Sequence, residues 1–329
     1  MVEKTLTFAR KKIIDGKKNK IKKKDLAKER KTIGLVLGVT IGLSFIFYLS
    51  TNWQKPKFNL KLPQLSSFKN SIINLNPQGK KSPEQLQAII NPLIKGQENN
   101  WAIWVEEVEG DFIWSHQPKT IFPAASLTKL PTAATLYQQI QKGERQLTEE
   151  MTLAQEDIRG GEGSLNTNST GFKVNLEKLV FLSLNQSDNT ASTMIKRLLT
   201  DQAISRNAFG MGMVNTCLEE NTTTAQDTAL FFKKLYQQEI FNQKYTNKFM
   251  ENLTNTDFEN RIPKGVPQGV KVAHKVGSDT KVAADAGLVL VPEKPIILVF
   301  LSKNINYQEA EKLIVDLTRE IYWFLVSSD

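Results

Sequence analysis

From Thr32 to Gln54 the chain carries no charged side chain. No other feature of its 329 residues restricts the folding options as sharply. About 20 apolar residues in a helix cross a bilayer core, and this run has no polar face with which to lie on a soluble domain. Tyr48 and Trp53 stand where interfacial aromatics belong. Residues 33–53 are therefore predicted to be a single transmembrane anchor. Residues 1–32 hold 13 Lys/Arg against 4 Asp/Glu, so this tail is expected on the cytoplasmic side and the rest of the chain outside the cell membrane. The rival is a cleaved signal peptide. It is disfavoured because the basic region is long and no small-x-small site follows Leu49. Gly34, Gly38 and Gly42 form two overlapping G-x-x-x-G steps, which let membrane helices approach closely, although glycine is common in such helices anyway.

The net charge of +9 invites a nucleic-acid reading. All of the excess lies in the tail, and the remaining 297 residues carry 30 charges of each sign. No nucleic-acid partner is expected. One cysteine, Cys217, rules out an internal disulfide, and two histidines, His116 and His274, argue against a multi-histidine metal site. No cofactor and no metal are expected. Cys217 reads as a small buried hydrophobe.

Residues 54–81 are polar and proline-punctuated, which suits a linker. The folded domain is placed at 82–329. Ser82-Pro83-Glu84-Gln85 offers an N-cap, a proline at the first helical position and a capping box, and Pro92 should kink or end that helix. Alternation predicts strands over Trp101–Val108, Phe112–His116, Val270–Val276, Ala286–Val291 and Ile296–Leu301. Helical spacing predicts helices over Ser126–Gln141, Leu176–Leu184, Thr190–Leu199, Thr224–Gln238 and Glu309–Val326. Residues 151–171 read as loop. Their cluster Gly160-Gly161-Glu162-Gly163-Ser164-Leu165 lacks the Gly-Lys-Ser/Thr ending of a phosphate loop. Strands at both ends with helices between predict an α+β domain, its antiparallel sheet built from both termini beside a helical lobe.

The chemistry is concentrated in three short segments. Ser126 and Lys129 share one helix face, so hydroxyl and amine can meet. A serine hydroxyl needs a base, and a lysine serves only if burial or a neighbouring cation lowers its pKa. The same spacing occurs at Ser66–Lys69, in the linker, and at Ser278–Lys281, so spacing alone decides little. Ser126 differs in its company: Ser187-Asp188-Asn189 follows, then Lys275-Val276-Gly277-Ser278. Taken singly, the middle segment is a helix N-cap and Lys275 an exposed strand lysine. His274, one residue earlier, points to the opposite sheet face, where packing is its simplest role.

Taken together, and with Arg261-Ile262-Pro263-Lys264-Gly265 and Asp285-Ala286-Gly287-Leu288-Val289, these segments resemble the class A β-lactamase-like serine hydrolases, the penicillin-recognising serine enzymes, over residues 83–329. The resemblance implies a β-lactamase/transpeptidase-like fold and an acyl-enzyme on Ser126, formed with a β-lactam or an acyl-D-amino-acid peptide. It implies Lys129 as general base or proton relay, Ser187 as the group that passes the proton to the leaving nitrogen, and Asn189 as a contact to the substrate amide that also helps hold Lys129. Lys275, Gly277 and Ser278 would form the substrate-binding strand, with the backbone N–H groups of Ser126 and Ser278 as the oxyanion hole. Two departures follow. Val276 stands where the family has a hydroxyl; losing one hydrogen bond to a charged group costs about 1.5–3 kcal/mol, and Ser278, on the same side of the strand, is the candidate replacement. The loop that carries the deacylating glutamate looks shortened around Cys217–Ala225, where Glu219 and Glu220 read as solvated charges. Expected activities are therefore β-lactam hydrolysis with turnover in question, a D-alanyl-D-alanine peptidase or cell-wall amidase, or a penicillin-binding sensor or scaffold without turnover.

Overall fold

A computed structural model describes residues 81–327. The tail, the anchor, the linker up to residue 80 and the Ser66–Lys69 pair lie outside the described residues. Among the described residues no helix is long and apolar enough to cross a membrane.

The domain opens with α1 (Pro83–Leu93), whose capping box is formed: Ser82 Oγ accepts from Gln85 N–H and Gln85 Oε1 from Ser82 N–H. The helix ends one residue past Pro92. Strands β1 (Trp101–Glu107) and β2 (Ile113–His116) follow as a hairpin. The short β3 (Phe122–Pro123) leads through a 3-10 turn, Ala125–Thr128, into α2 (Lys129–Gln141). The middle of the chain holds β4 (Glu150–Thr152), β5 (Lys173–Asn175), α3 (Leu176–Asn185), α4 (Asn189–Leu199), α5 (Asp201–Gly210), β6 (Thr222–Thr223), α6 (Ala225–Tyr236) and α7 (Gln243–Asn252). The short α8 (Ile262–Gly265), then β7 (Lys271–Asp279), β8 (Val282–Leu290), β9 (Ile296–Ser302) and α9 (Tyr307–Val326), complete it.

The five-stranded sheet runs β2-β1-β9-β8-β7 with antiparallel pairing throughout. The architecture is the expected one: the first two strands and the last three form one sheet. Alternating side chains feed two cores. One face packs with α1 and α9 through Ile90, Ile103, Phe300 and Ile314. The other packs against the helical lobe through Ala273, Leu288, Val299, Leu136 and Phe231.

Three expectations are corrected. Strands β7 and β8 extend past Gly277 and begin before Ala286, because a tight turn at Thr280-Lys281 joins them without a break. Helices α5 and α7 escaped the sequence reading because each buries a thin stripe, Ile204 with Ala208 and Thr246 with Phe249. Cys217, expected inside, is half-buried and pairs as a bridge with Thr222.

Candidate active site

The turn that presents Ser126 is strained. Ala125 sits at φ 46°, left-handed for a residue with a Cβ, at a cost of about 1–2 kcal/mol. Ser126 is half-buried, and the expected helix begins here as a 3-10 turn, becoming α-helical only at Lys129. Among the described residues no hydrogen bond joins the Ser126 hydroxyl to the Lys129 amine. The amine, on the buried Lys129 side chain, turns instead to the second segment. It donates to the backbone oxygen of Ser187, to Ser187 Oγ at 3.2 Å and to Asn189 Oδ1 at 2.8 Å.

The second segment is bent for this purpose. Ser187 lies at φ 53°, also left-handed, between the end of α3 and the start of α4. Asp188 is buried and caps α4 through Ala191 N–H at 2.8 Å. Its other oxygen accepts from Ser164 N–H at 2.8 Å and Leu165 N–H at 2.7 Å. Asn189 donates its backbone N–H to Glu162 O at 3.1 Å and its side-chain amide to Gly160 O at 2.9 Å. The glycine cluster at 160–165 is therefore the cradle of Ser187-Asp188-Asn189. The sequence reads here as loop with local structure, and its glycines are the signal that backbone comes close to something.

Lys275 enters from β7. Its amine donates to Ser187 Oγ at 2.9 Å and to Val276 O at 3.1 Å, and lies 5.9 Å from the centre of the Phe258 ring. One hydroxyl, Ser187, thus stands between two buried lysines. Burial pushes Lys129 down to about 8, with the Asp188 and Glu162 carboxylates opposing the shift. Lys275 falls well below its usual range, through burial first and the Lys129 charge second. Two ammonium groups on one buried hydroxyl repel, so charge on one disfavours charge on the other.

Strand β7 is the sheet edge beside the Ser126 turn. His274 N–H points outward from it, to Leu253 O at 2.8 Å. Strand alternation puts the Val276 and Ser278 N–H groups on that same outer edge. Gly277 makes the close approach possible: a Cβ there would lie 2.9 Å from Ala124 O. The Ser278 hydroxyl is on the other face of the sheet, where Arg261 Nη2 donates to it at 2.7 Å. Val276 is buried.

The loop expected to be short is a hairpin closed by the Cys217–Thr222 bridge. Its base is tied to the nucleophile turn: β6 pairs with β3, and Ala124 N–H donates to Asn221 O at 2.8 Å. Its tip carries Glu219 and Glu220, both exposed, and among the described residues neither makes a hydrogen bond or an ion pair.

A two-sided antiparallel sheet with a helical lobe, and a serine, two buried lysines and a Ser-Asp-Asn turn gathered at its edge strand, define a serine hydrolase of the penicillin-recognising type. Residues 84–325 match the Beta-lactamase enzyme family, and the chain belongs to it. Solved structures agree in fold. PBP-A is 24% identical with a TM-score of 0.69, over 73% of this chain and 96% of that one. A mutant of PBP-A, described as an acyl-enzyme complex with penicillin-G, gives 24% and 0.70, over 74% and 96%. A β-lactamase from Sphaerobacter thermophilus is 25% identical with a TM-score of 0.69, over 74% and 97%. No curated protein sequence matches the chain.

Proposed function

We propose that the protein is an acyl-serine enzyme that opens β-lactams on Ser126 and releases the acyl group slowly. The observation that carries this is the Ser187 hydroxyl bridging Lys129 and Lys275. A neutral amine in that pair takes the Ser126 proton as the hydroxyl attacks the carbonyl. The Ser187 hydroxyl then hands a proton to the departing nitrogen, and a lysine replaces it. The N–H groups of Ser126 and Ser278 receive the developing oxyanion. Asn189 holds Lys129 in place and offers its amide to the substrate, while Lys275 attracts the substrate carboxylate. Release needs a base to activate water. The two carboxylates on the shortened hairpin are solvated, which favours retention of the acyl group.

A second substrate class has its own support. An edge strand with outward N–H groups accepts an extended peptide by strand addition, so a peptide ending in an acyl-D-amino acid fits the same site. The uncharged run at 33–53 supports display of the domain outside the cell membrane on a single anchor. Incubating the protein with penicillin G and mapping the mass increase tests the proposal: an adduct of one penicillin on the peptide containing Ser126 is expected, and an unmodified protein refutes it.

A further inference from the structure

Behind Lys275, on the opposite face of the sheet, lies a group of charges centred on the buried His274 and Asp285 that the chemistry above does not use. His274 is fully buried. Its Nδ1 meets Asp285 Oδ1 at 2.8 Å, and its Nε2 meets Glu259 Oε1 at 3.3 Å and Thr256 Oγ1 at 3.2 Å. Both ring nitrogens face oxygen, and two of the partners are carboxylates, so the ring is set up to donate from both sides as an imidazolium. Burial opposes the charge, but Asp285 and Glu259 more than offset it and hold the ring at about 9. Gly287, the register partner of His274, provides the room: a Cβ there would lie 2.6 Å from that of His274.

The group joins three pieces of chain. Asp285, on β8, accepts Ile262 N–H at 2.9 Å with its second oxygen. Glu259 is pinned by Thr256 N–H at 2.7 Å and Thr256 Oγ1 at 3.0 Å. Arg261, in the same segment, reaches Gly277 O at 3.0 Å and Ser278 Oγ at 2.7 Å. Phe258, whose ring approaches the Lys275 amine, belongs to it too. The charged groups around the imidazole are thus Asp285 and Glu259, with Arg261 and Lys275 the cations beyond them and Glu311, from α9, paired with Arg261 at 3.2 Å.

We infer that His274 is a positioning residue for the reaction: caught between Asp285 and Glu259, it locks the 256–262 segment to β7 and balances the two carboxylates behind the Lys275–Lys129 pair. The inference rests on the proposed acyl-serine chemistry, in which one lysine must be neutral. Without the histidine cation, two uncompensated carboxylates favour charged lysine, and the acidic limb of the acylation–pH profile moves to higher pH. Without the Glu259 charge the balance tips the other way, and the limb moves to lower pH. At separations on the order of 10 Å the loss of the buried His274 charge is worth roughly half a pH unit or more, and the loss of the solvent-screened Glu259 charge is worth less.

The experiment follows penicillin acylation rate against pH in the full chain, for wild type, His274→Asn and Glu259→Gln. Midpoint shifts of opposite sign are expected, with His274→Asn also slowing acylation about tenfold or more at neutral pH. A purely structural role would lower the melting temperature in both variants and leave the midpoints where they are. Glu259 is partly exposed, so Glu259→Gln alone decides the matter if His274→Asn does not fold. Unmoved midpoints, or shifts of the same sign, overturn the inference. A wild-type chain that takes up no penicillin refutes instead the functional reading on which it stands.

Discussion

The two sides of the candidate site are built differently. Around Ser187-Asp188-Asn189 almost every polar atom is engaged: Asp188 collects three backbone N–H groups, and Asn189 is held at its backbone and at both ends of its side chain. The 217–222 hairpin is held by Asn221, the β3–β6 pairing and the buried Leu218, while its tip carries two exposed carboxylates that make no hydrogen bond or ion pair among the described residues. A side chain that must place a proton within a fraction of an ångström needs the first kind of support. Under the proposed acyl-serine chemistry, the contrast favours attack and leaving-group protonation over water activation.

The contrast can be broken by substitution. The largest effect falls on Ser126→Ala, which removes the acceptor of the acyl group; covalent uptake of penicillin, read by intact mass, should vanish. Lys129→Met comes next. General-base loss costs about 10²–10⁴ in rate, read as the acylation rate constant. In the wild type that rate should climb with pH through about 8, where the buried Lys129 amine loses its charge, and level off above it. The sign follows from the neutral amine being the active form.

Asp188→Ala probes the rigid side itself. It strands the buried Leu165 and Ala191 N–H groups, and each buried unsatisfied donor costs about 1–3 kcal/mol. Melting should fall by several degrees, with acylation slowed through misplacement of Asn189. Gly277→Ala should act locally, since the added methyl meets Ala124 O: about 1–3 kcal/mol of stability and a slower acylation. The smallest effect belongs to the loose side. Glu219→Gln combined with Glu220→Gln should change the lifetime of the acyl-enzyme less than about twofold, the size of an ordinary surface substitution; a large change would place a working base on the hairpin.

Much of this was legible in the sequence because the motifs carry their own geometry. Ser126, Ser187, Asn189, Lys275 and Gly277 converge from three segments, and the strand periods at both ends of the domain foretold one sheet. What stayed hidden depends on partners far away along the chain. The i, i+3 spacing brings Ser126 and Lys129 to one turn, yet the amine bonds to Ser187, because that backbone oxygen and the Asn189 amide outnumber a single hydroxyl. Ser278 alternates with Lys275, so its hydroxyl falls to Arg261 while its N–H stays at the edge. His274 reads as core packing in a linear sequence, and only the register of β7 with β8 reveals the carboxylate waiting for it. Residues 160–165 show no period, since their function is to offer bare backbone to Asp188 and Asn189.

The most direct test is a chase. The protein is acylated with a fluorescent penicillin, free label is removed, and bound label on Ser126 is followed over time. Label that outlasts its own formation by orders of magnitude agrees with a site equipped for attack and poorly equipped for release. Label that disappears as fast as it forms, with hydrolysed penicillin accumulating, contradicts that account and places an efficient hydrolytic base beside Ser126.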